Sequence, residues 1–258
     1  TGIPNLAGPW LLTVGLMVIA MLLNQVMLRP DPLLLGRQLA AREDGRETDQ
    51  AHSARSMRQI FRIPNVLLAV TLMALAQIGM AVVMVVTPLH IDREGYGTLV
   101  ISTALMLHTL GMFAFASITG WLINRLGPLS VVWLGALLLA GAGLVGYYAG
   151  SLISIYLAVF LLGLGWNLCY ISGSKMLSDE LISPERGRAQ GISEMIVGMT
   201  AAVGMLASGS IYSQYGYSGA NMLVLIVVVI MALSVAAALW AEVRFGTASP
   251  KSGRVTTK

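Results

Sequence analysis

Seven stretches of this chain are too long and too uniformly apolar to fold in water, and they limit the architecture before any motif is weighed. They run at roughly 9 to 28, 65 to 88, 98 to 123, 129 to 149, 153 to 177, 188 to 212 and 219 to 241. A bilayer's hydrocarbon core is about 30 Å thick, and about 20 helical residues cross it. Inside it every backbone N–H and C=O needs a partner, which leaves helices or closed barrels, and runs of this length are too long for barrel strands. Composition agrees: 56% of the 258 residues are hydrophobic and 11% are charged, against ~25% charged in soluble domains. The expected fold class is all-α integral membrane, with seven spans. Pro9 opens the first, Gly127-Pro128 separates the third from the fourth, and Ser183-Pro184-Glu185 reads as an N-cap with Pro at the first helical position.

Charge gives the orientation. Fifteen of the 16 Lys and Arg residues fall on one side, in the segment 29 to 64, at Arg125, between 175 and 188, and in the tail from Arg244; Arg93 alone is on the other. The positive-inside rule makes the first side cytoplasmic, so Thr1 is outside and Lys258 inside. The net charge of +4 and pI near 9.4 therefore set topology and do not imply nucleic acid. The single cysteine, Cys169, lies inside an apolar run and forms no intrachain disulfide. No initiator Met opens the chain, so it reads as part of a longer protein.

The expected organisation is a first helix (1–28), a linker (29–64), a six-helix bundle (65–243) and a tail (244–258). In the linker seven arginines are interleaved with Asp31, Glu43, Asp44, Glu47 and Asp49. That mixture reads as a solvated cytoplasmic connection, with a short helix over Leu33 to Arg42. Within the bundle, the third span ends at Gly120 and Gly127 and the sixth at Gly209 and Gly216. Equal spacing, at the same place in each half but on opposite sides, is what a three-plus-three inverted repeat predicts.

Gln77, His108, Asn167 and Glu194 lie in spans two, three, five and six. Such groups turn to a bundle interior or a watered cavity, so these four spans are expected around a polar path and the others at the outer wall. Gly135, Gly141, Gly143, Gly146 and Gly150, with Gly191, Gly198, Gly204 and Gly209, are expected to let backbones approach.

The turn Gly120-Trp-Leu-Ile-Asn-Arg-Leu-Gly127 resembles the signature loop of the major facilitator superfamily, Gly-x-Leu-x-Asp-Arg-x-Gly-Arg, in its weaker second-half copy. Asn124 replaces the Asp and Pro128 the following basic residue, leaving Arg125 as the only charge. Gly165-Trp-Asn-Leu-Cys-Tyr-Ile-Ser-Gly173, then Asp179, Glu185-Arg-Gly-Arg-Ala-Gln-Gly191 and the acid at 194, looks like a bacterial branch that includes riboflavin-type importers. The resemblance implies an MFS-type bundle of inverted three-helix repeats. The chain would supply helix six, the central linker and helices seven to twelve, with helices one to five in a missing N-terminal half.

The implied function is that of a partial secondary transporter. It would move a small molecule across the bacterial inner membrane by alternating access, with no cofactor; the coupling ion is left open, with the proton as one candidate. Trp166, Asn167 and Tyr170 would lie on a cavity-lining helix, with Gln77 on another, as substrate-binding residues. Glu194 has three readings: proton exchange, binding of a cationic group, or a state-dependent contact with the signature loop of the other half. It lies about ten residues, or ~15 Å, after Pro184, nearer the cytoplasmic side than the midplane. His108 reads as a proton relay or as a donor to a backbone carbonyl. Arg125 and Asp179 are the expected cytoplasmic gate pair. The alternatives are an inactive or regulatory membrane fragment and a seven-helix receptor; a retinal-type receptor needs a lysine in the last span, which has none. An enzyme is not expected, since His52, His90 and His108 have no ligand-like spacing and no nucleophile is paired with a base.

Overall fold

A computed structural model describes residues 8–27 and 55–245, and the chain divides into two units, 1–54 and 55–258. The first unit contributes α1, Gly8–Met27. Its apolar side chains from Leu11 to Met27 are exposed, and Asn24 donates its side-chain amide to the Ala20 carbonyl at 3.0 Å. Most of the predicted linker, its short helix over 33–42 and nearly all of the predicted tail lie outside the described residues.

Every regular element among the described residues of the second unit is a helix. The unit comprises α2 (Met57–Ile60), α3 (Pro64–Arg93), α4 (Thr98–Phe113), α5 (Ala116–Leu126), α6 (Pro128–Tyr147), α7 (Leu152–Asp179) and α8 (Ser183–Phe245). A straight helix of 63 residues, the length of α8, would measure ~95 Å, about three hydrocarbon cores. It is not straight. Gly216, at φ 64° and ψ −160°, interrupts it. Gly204 before the break faces Ile78 and Val82 of α3, and Val224 and Val227 after it face Gly79 of the same helix. The chain therefore reverses at Gly216, giving two antiparallel spans as the apolar pattern predicts.

Gly127, between α5 and α6, has φ 84° and ψ 154°. Both turns thus lie in a region of backbone space open almost only to glycine. The two repeat-related positions share one conformation class, which is why each ends its helix there. One end of the unit gathers 55–63, Gly127 and 180–182; the other gathers 94–97, 148–151 and Gly216. Side chains tie each end together. Asn65 donates to Glu180 at 2.7 Å at the first, and His90 stacks on Tyr217 at 4.5 Å at the second.

Helix contact in lipid depends on close van der Waals packing, and glycines provide it here. A Cβ on Gly135 of α6 would meet the Cys169 sulfur at 2.6 Å, and one on Gly165 of α7 would meet the Leu139 nitrogen at 2.9 Å, so these backbones touch directly. Gly143 and Gly146 bring α6 against Leu225 and Asn221, while Gly150, Gly191, Gly198 and Gly209 face open space. α6 and the second arm of α8 each bury one face only. Val132 and Leu139 of α6 and Val224 and Met231 of α8 enter the main core, and Leu137 and Leu233 point outward.

The second unit includes residues 55–63 ahead of its first long helix. Ser56 and Gln59 form a capping box for α2, and Ile60 is buried in a small cluster with Val66, Ala69, Leu177, Leu181 and Ala189. Its apolar residues give the end of the linker a surface to pack.

Candidate functional site

Three helices present a continuous row of polar and aromatic side chains. Residues 166, 170 and 174 of α7 and residues 190 and 194 of α8 recur at four-residue spacing, which puts each set on one helix face. Gln77 comes from the middle of α3. The Trp166 indole Nε1 donates to Gln77 Oε1 at 2.8 Å. The rings of Trp166 and Tyr170 stack with centroids 4.5 Å apart and planes 20° from parallel. The Tyr170 hydroxyl donates to Glu194 Oε2 at 2.5 Å, and Gln190 Nε2 donates to Glu194 Oε1 at 3.0 Å and lies 3.5 Å from the Ser174 hydroxyl.

Every strong group in the row is satisfied by a neighbour in the row. An indole N–H can only donate, so it fixes Gln77 as acceptor; both Glu194 oxygens accept, which suits a carboxylate. The rings lie against each other, so a planar ligand must take an outer ring face or separate them. The row is open on one side: Gln77, Trp166 and Tyr170 are half-buried and Glu194 is exposed. Two hollows of about 600 and 460 Å³ lie elsewhere, one along α4 beside Met106 and Phe113, the other beside Tyr147 and Tyr215.

The remaining predicted residues are not in the row. Asn167 points away from Trp166 because neighbouring positions on a helix do not share a face. It is 1% exposed, donates to the Met112 carbonyl at 2.5 Å and accepts from the Thr119 hydroxyl at 2.5 Å. His108 is buried on α4, its Nδ1 3.0 Å from the Val159 carbonyl and its Nε2 without a hydrogen-bond partner. A carbonyl only accepts, so Nδ1 carries the proton. Arg125 and Asp179 are not paired in this structure: Asp179 is bonded to Lys175 one turn earlier, and Arg125 lies over the Trp121 ring at 5.3 Å.

The rim ion pair is instead Arg55–Glu185. Arg55 Nε and Nη2 donate to the two Glu185 oxygens at 2.9 and 2.7 Å, its backbone N–H donates to Oε1 at 2.8 Å, and Nη2 also reaches the Glu180 carbonyl at 2.7 Å. Glu185 is buried but precedes the apolar run that starts near 188, so it lies outside the membrane-spanning part. Hydrogen bonds from Arg55 hold its carboxyl down at about 2, from an ordinary 4.5. Only the acid's place after Ser183-Pro184 hinted at this pair; its partner is 130 positions away. Gln190 and Ser174 also escaped sequence reasoning, although their four-residue spacing to Glu194 and Tyr170 was a usable signal. Among the described residues no three His, Cys, Asp or Glu side chains gather as a metal site.

A family model described as Major Facilitator Superfamily matches residues 3–181 and 73–257. Among curated proteins the chain is 30% identical to the uncharacterized MFS-type transporter YdeG of Bacillus subtilis (strain 168) over 218 residues, covering 84% of this chain and 50% of that one. It is 29% identical to the uncharacterized MFS-type transporter YddS of the same organism over 238 residues, covering 89% and 54%. It is 28% identical to the riboflavin transporter RfnT of Brucella anthropi over 179 residues, covering 69% and 45%. The chain spans about half the length of the curated relatives it matches.

Proposed function

Because this chain belongs to the Major Facilitator Superfamily and is a multi-pass membrane protein, we propose that it forms the second half of a proton-coupled secondary transporter for a small planar molecule. A first half, with helices one to five, completes the cavity, and the pair works in a bacterial cell membrane with the basic side in the cytoplasm. The observation that carries this reading is the open row of Gln77, Trp166, Tyr170 and Glu194, which joins three helices and leaves its other side for a ligand.

The Trp166 ring offers a stacking face and its N–H a donor, while Gln77 and Glu194 supply acceptors. A heteroaromatic ligand with donors and acceptors along one edge can replace the internal bonds one for one. Buried polar groups left unpaired are costly, so an apolar disc of the same size does not replace them. RfnT, a relative, transports riboflavin by its name, and riboflavin is the first probe. Glu194 provides the coupling. Protonation removes one of its two acceptor oxygens, so the Tyr170 hydroxyl or the Gln190 amide loses its partner and the α7–α8 contact loosens. Arg125 and Asp179 act at the cytoplasmic gate in a state other than this one, since both lie at the basic end.

The test is riboflavin uptake into membrane vesicles containing the full-length protein, with and without a pH gradient, for the parent and Glu194→Gln. Coupling through Glu194 requires gradient-driven uptake in the parent and only exchange in the variant. Equal responses to the gradient remove the proton role, and no uptake of riboflavin removes that ligand.

A further inference from the structure

The third span is two helices, and the way its halves are held gives Asn167 a task. α4 stops at Phe113, α5 starts at Ala116 without a side-chain cap, and Phe115 between them has φ −100° and ψ 5°. A break of this kind strands backbone groups that have no water to turn to in hydrocarbon. Asn167 of α7 bonds to a backbone carbonyl before the break and to a side-chain hydroxyl after it. Its Nδ2 donates to the Met112 carbonyl before the break, and its Oδ1 accepts from the Thr119 hydroxyl after it at 2.5 Å, a shorter contact than the 3.1 Å from that hydroxyl to the Phe115 carbonyl.

The two sides are otherwise held unequally. α4 is seated on α7: a Cβ on Gly111 would stand 2.6 Å from the Phe160 carbonyl, His108 reaches the Val159 carbonyl, and the Phe115 ring meets Phe160 edge-on at 6.0 Å. α5 buries only Thr119 and Ile123 of its 11 residues. Ile123 packs with Val131 and Leu168, with Leu122 against the same cluster, while Ile118, Trp121, Asn124, Arg125 and Leu126 are exposed. One anchored segment, one lightly held segment and a short interruption between them make a hinge.

We infer that residues 114–115 are a hinge about which α5 swings, and that the Asn167–Thr119 bond is the latch holding it against α7. Asn167 is then a positioning residue that sets the angle of the cytoplasmic half of the span. The inference rests on backbone geometry and bonding, independently of which ligand the row takes or whether protons are coupled.

Spin labels on the full-length protein in nanodiscs provide the test, with one pair at Leu126 and Ile182 and a reference pair at Met106 and Leu137. Thr119→Val removes the latch, together with the hydroxyl's weaker contact to the Phe115 carbonyl, at nearly constant volume; Thr119→Ser keeps the hydroxyl. The expected result is a second, longer-distance population for the first pair in Thr119→Val alone, with the reference pair unchanged in all three proteins. A Leu126–Ile182 distribution identical to the parent's overturns the latch, and so does equal broadening of both pairs, which would mean general loss of packing. Hydrogen exchange on the unmodified protein is a second check: amides of 116–126 exchange faster than those of 100–113, and equal rates sink the hinge.

Discussion

Tyr170 divides its work between ring and hydroxyl, and the two can be separated. Tyr170→Phe keeps the stack on Trp166 and deletes the bond to Glu194. We expect ligand affinity close to the parent's and a weakened response of uptake to the pH gradient. Trp166→Leu should weaken binding by about tenfold, since aromatic stacking contributes about 0.5–1.5 kcal/mol beyond buried area; ligand quenching of intrinsic fluorescence, or a direct binding titration, reads it. At the rim, Arg55→Leu leaves the buried Glu185 carboxylate without its main donors. The cost is on the order of 2 kcal/mol, kept at the lower end because the Arg55 side chain is 37% exposed. The pH dependence follows from the sign. Glu185's folded value of about 2 is below its ordinary 4.5, so its stabilisation is fully present above pH 4.5 and disappears as pH falls through 2. Thermal unfolding in detergent should show a gap between parent and Glu185→Gln that is constant from pH 5 to 8 and closes toward pH 2. A gap that opens on acidification would refute the assignment.

At the scale of elements, Gly127 and Gly216 are each the last residue of a Gly-x6-Gly pair, and only that residue bends the chain. Gly216→Ala forces a side chain into positive φ and should cost about 1–3 kcal/mol, with loss of folded yield; Gly209→Ala, where a Cβ meets nothing within 4 Å, should be neutral or slightly stabilising. Comparable melting temperatures for the two variants would refute this reading of the turn. Span number and the two turns were legible in the sequence because apolar length and glycine spacing are local signals. The row was half legible. Trp166 and Tyr170 share a face by spacing alone, and the same rule, applied to Trp166 and Asn167, separates them. Which acid meets which base was not legible: Arg55 and Glu185 are brought together by packing of α2 under the α7–α8 turn, and Asp179 is taken by Lys175 before Arg125 can reach it.

For the whole molecule, orientation is the property most directly open to experiment. Cysteines introduced at Tyr96 and Tyr148 should react with an impermeant maleimide in intact cells, and those at Asn124 and Ile182 only after permeabilisation; the reverse pattern would overturn the cytoplasmic assignment of the basic end. The four positions are exposed, so reactivity reports side and not burial. α7 meets three neighbours through glycines: Gly163 against α4, Gly165 against α6 and Gly173 against α3. Gly163 lies three residues before Trp166 and Gly173 three after Tyr170, so scaffold contacts and the polar row share this side of the helix. Trp166 packs against the main core as well as carrying the row's stacking face, so a lineage that trades one cargo for another at this helix has to preserve helix packing with the same side chains that it changes.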